Sequence, residues 1–538
     1  MNQIKSNNKE YDAIIVGAGF SGLYQLICLR DQLNLNCVVL ETGADVGGTW
    51  YWNRYPGARC DTESHAYSYY FSDELLKEWT WSERYPGHAE IRKYMNFVAN
   101  KFDLKKDILF HHKVTKATFN SNENKWEVVT NKKLEFKAKF LISAVGCLSN
   151  ANIPNIRGLE NFEGKYYHTG NWPKNGVSFT GKNVGQIGTG STGIQAVPVI
   201  AEEAKYLTVF QRTANYSIPA RNKPLTSEFK KHVKENSNIY KKLVKGTPNA
   251  HPFEISNRKV ADVNREELNQ IYEKAWEIGG LQFRAVFNDL VTNIDANKTA
   301  SDFIKKKIRE TVSNKKFASI LSDIDHPYAG KRPPIDTNYF ETFNRDNINL
   351  VDLRSDPIDK IDKTGIKTKN NHFELDIIVF ATGYDAMTGP LLNMNITGKN
   401  NLKLKDAWKE GPKTFLGLQV PGFPNLFTIT GPGSPSVLTN MPMAIEQHVE
   451  WIRDCIEYMN KQDYSTIEAN TNSAEKWGAE VNLVANQTLL PTVKHSWYLG
   501  ANIPGKPRVF MPYAGGLPRY TEVCNNIKNN KYKEFNLN

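Results

Sequence analysis

Two glycine loops constrain this chain more than anything else in it. The first lies in "YDAIIVGAGFSGLYQL", where Gly17, Gly19 and Gly22 follow an apolar strand from Ala13 to Val16 and precede a helical pattern. A G-x-G-x-x-G run between a strand and a helix is the turn of a nucleotide-binding βαβ unit. Its glycines allow a tight turn, a close approach of backbone to a pyrophosphate and close helix packing, with the helix N-terminus facing the phosphates. A second strand, "CVVLE", ends in Glu41, 24 residues after Gly17, where an acid holds a ribose hydroxyl. The pattern recurs in "GKNVGQIGTGSTGIQAVPVIA" at Gly188, Gly190 and Gly193, with Thr189, Ser191 and Thr192 between them. The next strand, "LTVFQRT", ends at Gln211 and Arg212, and Arg212 stands 24 residues after Gly188. A carboxylate repels a 2′-phosphate, whereas a guanidinium binds it through paired hydrogen bonds. The first loop therefore suits FAD, and the second suits NADPH over NADH. One detail breaks the pattern. Gly185 and Gln186 occupy the strand before the second loop, where β-branched residues are usual.

The two loops predict an α/β chain with two Rossmann-like dinucleotide-binding domains. At 538 residues the chain is too long for one core. The expected order is nested, the NADP domain being inserted in the FAD domain. The FAD-binding domain takes residues 1–150, where "KFLISAVG" reads as a strand ending in Gly146, and resumes over 384–538. The NADP-binding domain takes 151–215 and 326–383, its last strand running from Ile377 to Phe380 and handing the chain back. Between its halves lies a lysine-rich helical insertion, 216–325. There "NREELNQIYEKAWEIGG" places Leu268, Ile271, Tyr272 and Ala275 on one helical face, and "DFIKKKIRETV" does the same with Ile304, Ile308 and Val312. Near the C-terminus, "IEQHVEWIRDCIEYM" turns Ile445, Val449, Ile452 and Ile456 toward a core.

Charge and cysteine content exclude other classes. The net charge of +11 comes from lysines scattered over the chain, not from a basic block interleaved with aromatics, which argues against nucleic acid. A positive field still favours the arrival of an anionic cofactor. The six cysteines form no C-x-x-C pair and no Cys/His cluster with zinc spacing, so no metal site is expected and reduced thiols point to the cytoplasm. No apolar run is long enough to span a bilayer. The start, "MNQIKSNNKEYD", has no apolar h-region and reads as a short frayed tail, not a secretory signal. A monomer or weak homo-oligomer is expected.

A further stretch, "FEGKYYHTGNWPK", carries Phe162, Gly164, His168, Trp172 and Pro173 in the order F-x-G-x-x-x-H-x-x-x-W-P. This resembles the fingerprint of type I Baeyer–Villiger monooxygenases, and it lies between two glycine loops as in that family. "GGTWYWNRYPGARCD", "GKRPPIDTNYFETFNRDNI", "FATGYD", "GPGSPSVLTNM" and "SWYLGANIPGKP" are similar to further segments of that family. The likeness covers nearly the whole chain apart from the helical insertion and the tails. The Trp-Pro ending separates it from related N- and S-oxygenating flavin enzymes. "GPGSPSVLTNM" is closer in look to phenylacetone- and steroid-type enzymes than to cyclohexanone-type ones.

The resemblance implies an NADPH- and O2-dependent enzyme that converts a ketone into an ester or lactone through a C4a-peroxyflavin. It makes Arg332 the catalytic arginine, a cation beside the anionic oxidant, and Asp61 its partner. Alone, "GKRPP" would read as a surface arginine and "ARCDTES" as a turn. Gly48, Thr49, Trp50 and Tyr55 are then expected beside the flavin. Thr213 and Lys331 join Arg212 at the 2′-phosphate, although Lys331 also reads as a solvated lysine. Trp497 is implied near the nicotinamide ribose, with an aromatic core residue as the alternative. Ser436, Val437 and Leu438 are expected to line the ketone pocket. His168 is expected to hydrogen-bond backbone in the linker between domains. The competing readings are an S- or N-oxygenating flavin enzyme and a non-oxygenating FAD/NADPH redox protein.

Overall fold

The computed structural model describes residues 9–538, so the expectation for the first eight residues lies outside the described residues. Strand β1 (Lys9–Val16) is apolar where it is covered: Ala13, Ile14 and Ile15 are fully buried, while Lys9 and Glu10 are exposed. A continuous apolar run is the mark of a strand covered on both faces, and such strands pair in parallel. Helix α1 (Phe20–Leu26) follows the first glycine loop and continues as a π-helical stretch through Gln32. Strand β2 (Cys37–Leu40) pairs in parallel with β1, Ala13 opposite Cys37 and Val16 opposite Leu40. Strand β3 (Glu135–Ser143) flanks β1 on its other side, also in parallel. It ends at Ser143, short of the expected Gly146, because Gly146 takes φ +72° and turns the chain out of the sheet. The hairpin Val114–Asn120 and Lys125–Thr130 and the short pieces Ile108–Leu109, Ile396–Thr397 and Leu426–Thr428 complete an eight-stranded sheet. Pieces near Ile396 and Leu426 join a sheet that begins at Lys9, so the chain leaves this layer and returns to it.

The second sheet has five strands, all parallel. They are β4 (Lys165–His168), β5 (Asn183–Ile187), β6 (Tyr206–Gln211), β7 (Ile348–Asp352) and β8 (Ile377–Phe380), in the order β7-β6-β5-β8-β4. Helix α2 (Ser191–Glu203) follows the second glycine loop. The odd pair in β5 now has a physical reason. A Cβ on Gly185 would lie 2.5 Å from a methyl of Leu375 and 3.2 Å from the Phe210 ring. Gln186 is fully buried, and its Nε2 donates to the carbonyls of Gly188 and Gly193, both at 3.2 Å. Strand propensity is surrendered there to fasten the glycine loop onto α2.

The helical insertion lies between β6 and β7. Its helices Arg265–Ile278, Ile294–Thr311 and Lys315–Ser322 start at Asn264, Asn293 and Asn314, whose side-chain oxygens each accept two backbone N–H bonds. Each cap stabilises its helix by about 1 kcal/mol. Tyr272, Ala275, Ile304, Ile308 and Val312 are buried in the core of the second sheet, with Leu268 and Ile271 half-buried at its margin. The insertion does not pack as one body. Val244 and Ala250 enter the core of the first sheet instead, which carries residues 249–251 across to it. In helix α3 (Met441–Lys461), Ile445, Val449, Ile452 and Ile456 are all buried in that same core, where α3 packs on α1. Among the described residues no helix is long and apolar enough to cross a membrane, and no group of three or more His, Cys, Asp or Glu is placed to hold a metal ion.

Candidate active site

The two glycine loops are built by the same contacts. Gly17 has φ +105°, and a Cβ on it would lie 2.6 Å from the Ala144 carbonyl, just past β3; a Cβ on Gly22 would lie 1.8 Å from the Gly17 carbonyl. Gly188 has φ +107°, and its Cβ would lie 2.4 Å from the Ala381 carbonyl, just past β8; that of Gly193 would lie 2.3 Å from the Gly188 carbonyl. In each loop the first glycine backs onto the neighbouring strand and the third lets the helix close on the turn. The middle glycines differ. Gly19 faces Gly48, whose Cβ would lie 2.8 Å from Gly19 Cα, whereas a Cβ on Gly190 would meet nothing within 4 Å.

The residues that follow β2 and β6 differ in charge. Glu41 is buried and accepts N–H bonds from Ala18 at 2.7 Å and Gly43 at 2.6 Å. Burial pushes its carboxyl up, and those donors oppose the rise. Arg212 is exposed and has no carboxylate within 4.0 Å among the described residues. Lys331 lies near it: burial lowers the Lys331 ammonium, Asp325 opposes, and the Arg212 charge lowers it further. Thr189 Oγ1 donates to the Thr213 carbonyl at 3.0 Å, which joins Thr213 to the loop, and Ser191 and Thr192 open α2. Two cations near an open glycine loop can together meet an anionic group.

Arg332 and Asp61 meet through a two-pronged contact. Arg332 Nε donates to Asp61 Oδ2 at 2.5 Å, Nη2 donates to Oδ1 at 2.8 Å, and Nη1 donates to the Val437 carbonyl at 2.8 Å. The two side chains are 21% and 25% exposed. Burial alone would lower the guanidinium, but the charge and hydrogen bonds of Asp61 outweigh it and hold Arg332 above its ordinary value. Each terminal nitrogen keeps one N–H without a partner among the described residues.

Val437 belongs to the short turn Ser436–Leu438. Ser436 departs from the expected pocket wall. It is fully buried, and its hydroxyl donates to the Thr430 carbonyl at 3.3 Å, so the side chain faces inward, onto the segment before its turn. The turn meets its surroundings through carbonyls, Val437 to Arg332 and Leu438 to Asn249 Nδ2 at 2.6 Å.

Trp50 and Tyr55 part company. Thr49 and Trp50 follow Gly48 into a short helix, and the Trp50 indole donates to Tyr67 Oη at 3.0 Å within the first core. Tyr55 lies instead in the core of the second sheet with Trp172 and Ile194, and its hydroxyl donates to Gln195 Oε1 on α2 at 2.7 Å. The chain crosses between the units here, and the Tyr55 ring is covered by the core of the second sheet. Trp497 is half-buried, its ring 4.5 Å from that of Tyr498. Burial pushes the Tyr498 hydroxyl up to about 12, with Arg332 and then Arg284 opposing, which puts this pair beside the arginines.

The fingerprint forms the edge of the second sheet. Phe162 packs on one face with Phe210 and Phe380, and Trp172 on the other with Tyr167 and Phe179. Gly164 is small because a Cβ there would lie 2.4 Å from the Phe162 ring, and Pro173 begins a turn closed by Gly176. His168 ends β4 and is buried; its Nδ1 accepts from the Gly170 N–H at 2.9 Å. Burial lowers it, and the backbones of Gly383 and Asn152 oppose. Those two residues are bonded to each other where the chain passes between the sheets. His168 therefore touches the crossing and not the Arg332 pair.

Asn249, His251, Arg284 and Gln195 escaped the sequence reading. Only Arg284 left a signal, as a lone charge inside the apolar run "GGLQFRAVF".

The flavin-binding monooxygenase-like family matches residues 11–223. Cyclohexanone 1,2-monooxygenase of an Acinetobacter species is 43% identical over 99% of this chain and 97% of its own length. An NADP-bound oxidised steroid monooxygenase superposes with a TM-score of 0.93 at 45% identity, covering 98% of this chain and 99% of that one. A closed crystal structure of cyclohexanone monooxygenase superposes with a TM-score of 0.97 at 38% identity, covering 99% and 100%. Identities of 45% and 43% do not separate the steroid from the cyclohexanone type. The fold is thus that of two dinucleotide-binding units, and the chain belongs to the Baeyer–Villiger monooxygenases.

Proposed function

We propose that this chain inserts one oxygen atom of O2 next to a ketone carbonyl, at the expense of NADPH, and releases an ester or lactone. The observation that carries this reading is the two-pronged Asp61–Arg332 contact. It fixes a permanent cation whose free N–H groups can meet charge developing on oxygen, the kind of donor that stabilises a tetrahedral intermediate.

The residues present fit both cofactors. A Cβ would fill the floor of either loop at its first or third glycine, and Glu41 and Arg212 supply opposite charges at the two ribose positions. Gly17, Gly19, Gly22, Glu41, Gly48 and Thr49 would hold FAD. Gly188 to Gly193, Arg212, Thr213 and Lys331 would hold NADPH, with Trp497 by its nicotinamide end. Bound there, FAD would accept hydride from NADPH and supply the chemistry that activates O2, one atom of which is inserted. The protein's part is to orient the carbonyl, exclude water and hold the cation. Asp61 fixes the plane of the guanidinium, and the Val437 carbonyl fixes its depth. His168 acts as a positioning residue at the crossing between the units.

The division into an FAD-binding unit (1–150 and 384–538), an NADP-binding unit (151–215 and 326–383) and an insertion belongs to this reading. So do a monomeric or weakly associated state and work in the cytoplasm, supported by six cysteines that are all free and buried.

The test is direct. Purified holoenzyme receives NADPH, ¹⁸O2 and a panel of aryl, cyclic and long-chain ketones, and products are read by mass spectrometry. A labelled ester or lactone is expected. NADPH consumption that yields only hydrogen peroxide from every ketone, with labelled product from sulfides or amines, would transfer the activity to S- or N-oxygenation.

A further inference from the structure

The unpaired charge in this centre is not that of Arg332, which Asp61 holds through two hydrogen bonds. It belongs to Arg284, half-buried in the helical turn Leu281–Ala285. Among the described residues no carboxylate lies within 4.0 Å of Arg284. Its Nη2 donates to Asn249 Oδ1 instead. Asn249 Nδ2 donates in turn to the Leu438 carbonyl at 2.6 Å, and the adjoining Val437 carbonyl holds Arg332 at 2.8 Å. Two guanidiniums are thus tied to neighbouring peptides of one turn, one paired with a carboxylate and one not.

Two unsatisfied polar groups share this neighbourhood. His251, two residues beyond Asn249, is 2% exposed, and its Nε2 is buried without a partner. Burial, then the charges of Arg284 and Arg332, keep it well below its ordinary value, so the ring is neutral at pH 7. Tyr328 is fully buried with its hydroxyl unpartnered, and its ring meets that of Phe283, next to Arg284, edge-on at 5.6 Å. A half-buried cation without a counter-charge is costly, and a buried donor without an acceptor adds to the cost. Burial and the Arg332 charge both pull Arg284 below its ordinary value. An anion arriving at Arg284 would supply the missing counter-charge. The 2′-phosphate of NADPH already has its own cations in Arg212 and Lys331.

We propose that Arg284 binds an anionic group of the substrate, so that the ketone oxidised here is an oxo acid with its carboxylate on Arg284 and its carbonyl beside Arg332. This rests on the ketone-oxygenating reading above. A planar guanidinium accepts a carboxylate through two parallel hydrogen bonds. Asn249 orients the guanidinium.

The experiment compares each acid with its own methyl ester on FAD-loaded enzyme: 4-oxocyclohexanecarboxylate for a ring and 7-oxooctanoate for a chain. In at least one pair, kcat/KM for the acid is expected to exceed that for the ester tenfold or more. In Arg284→Leu and Arg284→Gln that ratio falls at least tenfold, and Arg284→Lys recovers part of it. Should neither variant hold FAD, the parent's preference and the Lys variant decide alone. No acid preference in either pair would overturn the proposal, as would a ratio that the substitutions leave alone. A raised KM for NADPH at an unchanged ratio would assign Arg284 to the cofactor and overturn it too. If neither acid nor ester is oxygenated, calorimetric titration of the NADP⁺-loaded holoenzyme separates the two ideas. Binding of the acid that is lost in Arg284→Gln keeps the anion site and overturns the ketone reading; no binding overturns the anion site.

Discussion

Asp61 and Arg332, 271 positions apart in the chain, hold each other through two side-by-side hydrogen bonds of 2.5 and 2.8 Å. The arginine touches neither glycine loop through a hydrogen bond, so its loss leaves both nucleotide seats intact. Arg332→Ala is expected to bind FAD and be reduced by NADPH, while ester formation falls at least 10²- to 10³-fold, roughly the loss on removing one donor of this kind. Rapid-mixing spectra and product analysis read the two steps separately. Ester formed at the parent rate would remove Arg332 from the chemistry.

Arg212 reaches solvent without a carboxylate partner, beside Lys331. Arg212→Ala is expected to raise the KM for NADPH at least tenfold while changing that for NADH far less. Steady-state kinetics with both nucleotides measure this, and an unaltered preference would sink the 2′-phosphate assignment.

Two glycines of the second loop separate folding from binding. A Cβ on Gly193 would lie 2.3 Å from a backbone carbonyl, whereas one on Gly190 would meet nothing within 4 Å. Gly193→Ala is expected to lower Tm by several degrees. Gly190→Ala is expected to keep the parent Tm and weaken NADPH binding, because its methyl points where a ligand approaches. Thermal melts with and without NADP⁺ test the pair, and equal losses of Tm would refute the distinction.

Glu446 on α3 is 1% exposed. Its Oε1 accepts N–H bonds from Tyr70 and Phe71, while Lys245 Nζ stands 3.8 Å from Oε2. Burial pushes its carboxyl from 4.5 up to about 7, against the charge of Lys245 and the N–H donors. The folded protein therefore binds this proton more tightly than the unfolded chain does. The resulting stability is complete below pH 4.5 and is lost as the pH rises through about 7. Glu446→Gln is expected to be more stable than the parent at pH 8, by about 1–3 kcal/mol, and to gain little at pH 5.5. Denaturant melts at both pH values decide it; a gain of equal size at each would mean that titration is not the cause.

Features written in adjacent residues were legible before any coordinates. The glycine loops and the charges at Glu41 and Arg212 depend on strand, turn and helix within one short stretch. So do the faces of α3 and of the helices Arg265–Ile278 and Ile294–Thr311. What was not legible depends on residues distant in sequence. Tyr55 left its expected place for Gln195, 140 positions away. The anomaly at Gly185 made sense only once Leu375 lay over it. Arg284 carries no motif; its meaning comes from the acid that is missing around it.

The stretch from Tyr55 to Asp61 has a mechanical consequence. One end is bolted to α2, by the Tyr55–Gln195 bond and by Gly57, whose Cβ would lie 2.2 Å from the Gln195 carbonyl; the other end grips Arg332. Residues 55–61 thereby join α2 to the partner of Arg332 within a single short segment. The aim of the arginine is thereby referred to a helix of the second sheet as well as to the turn that carries Val437.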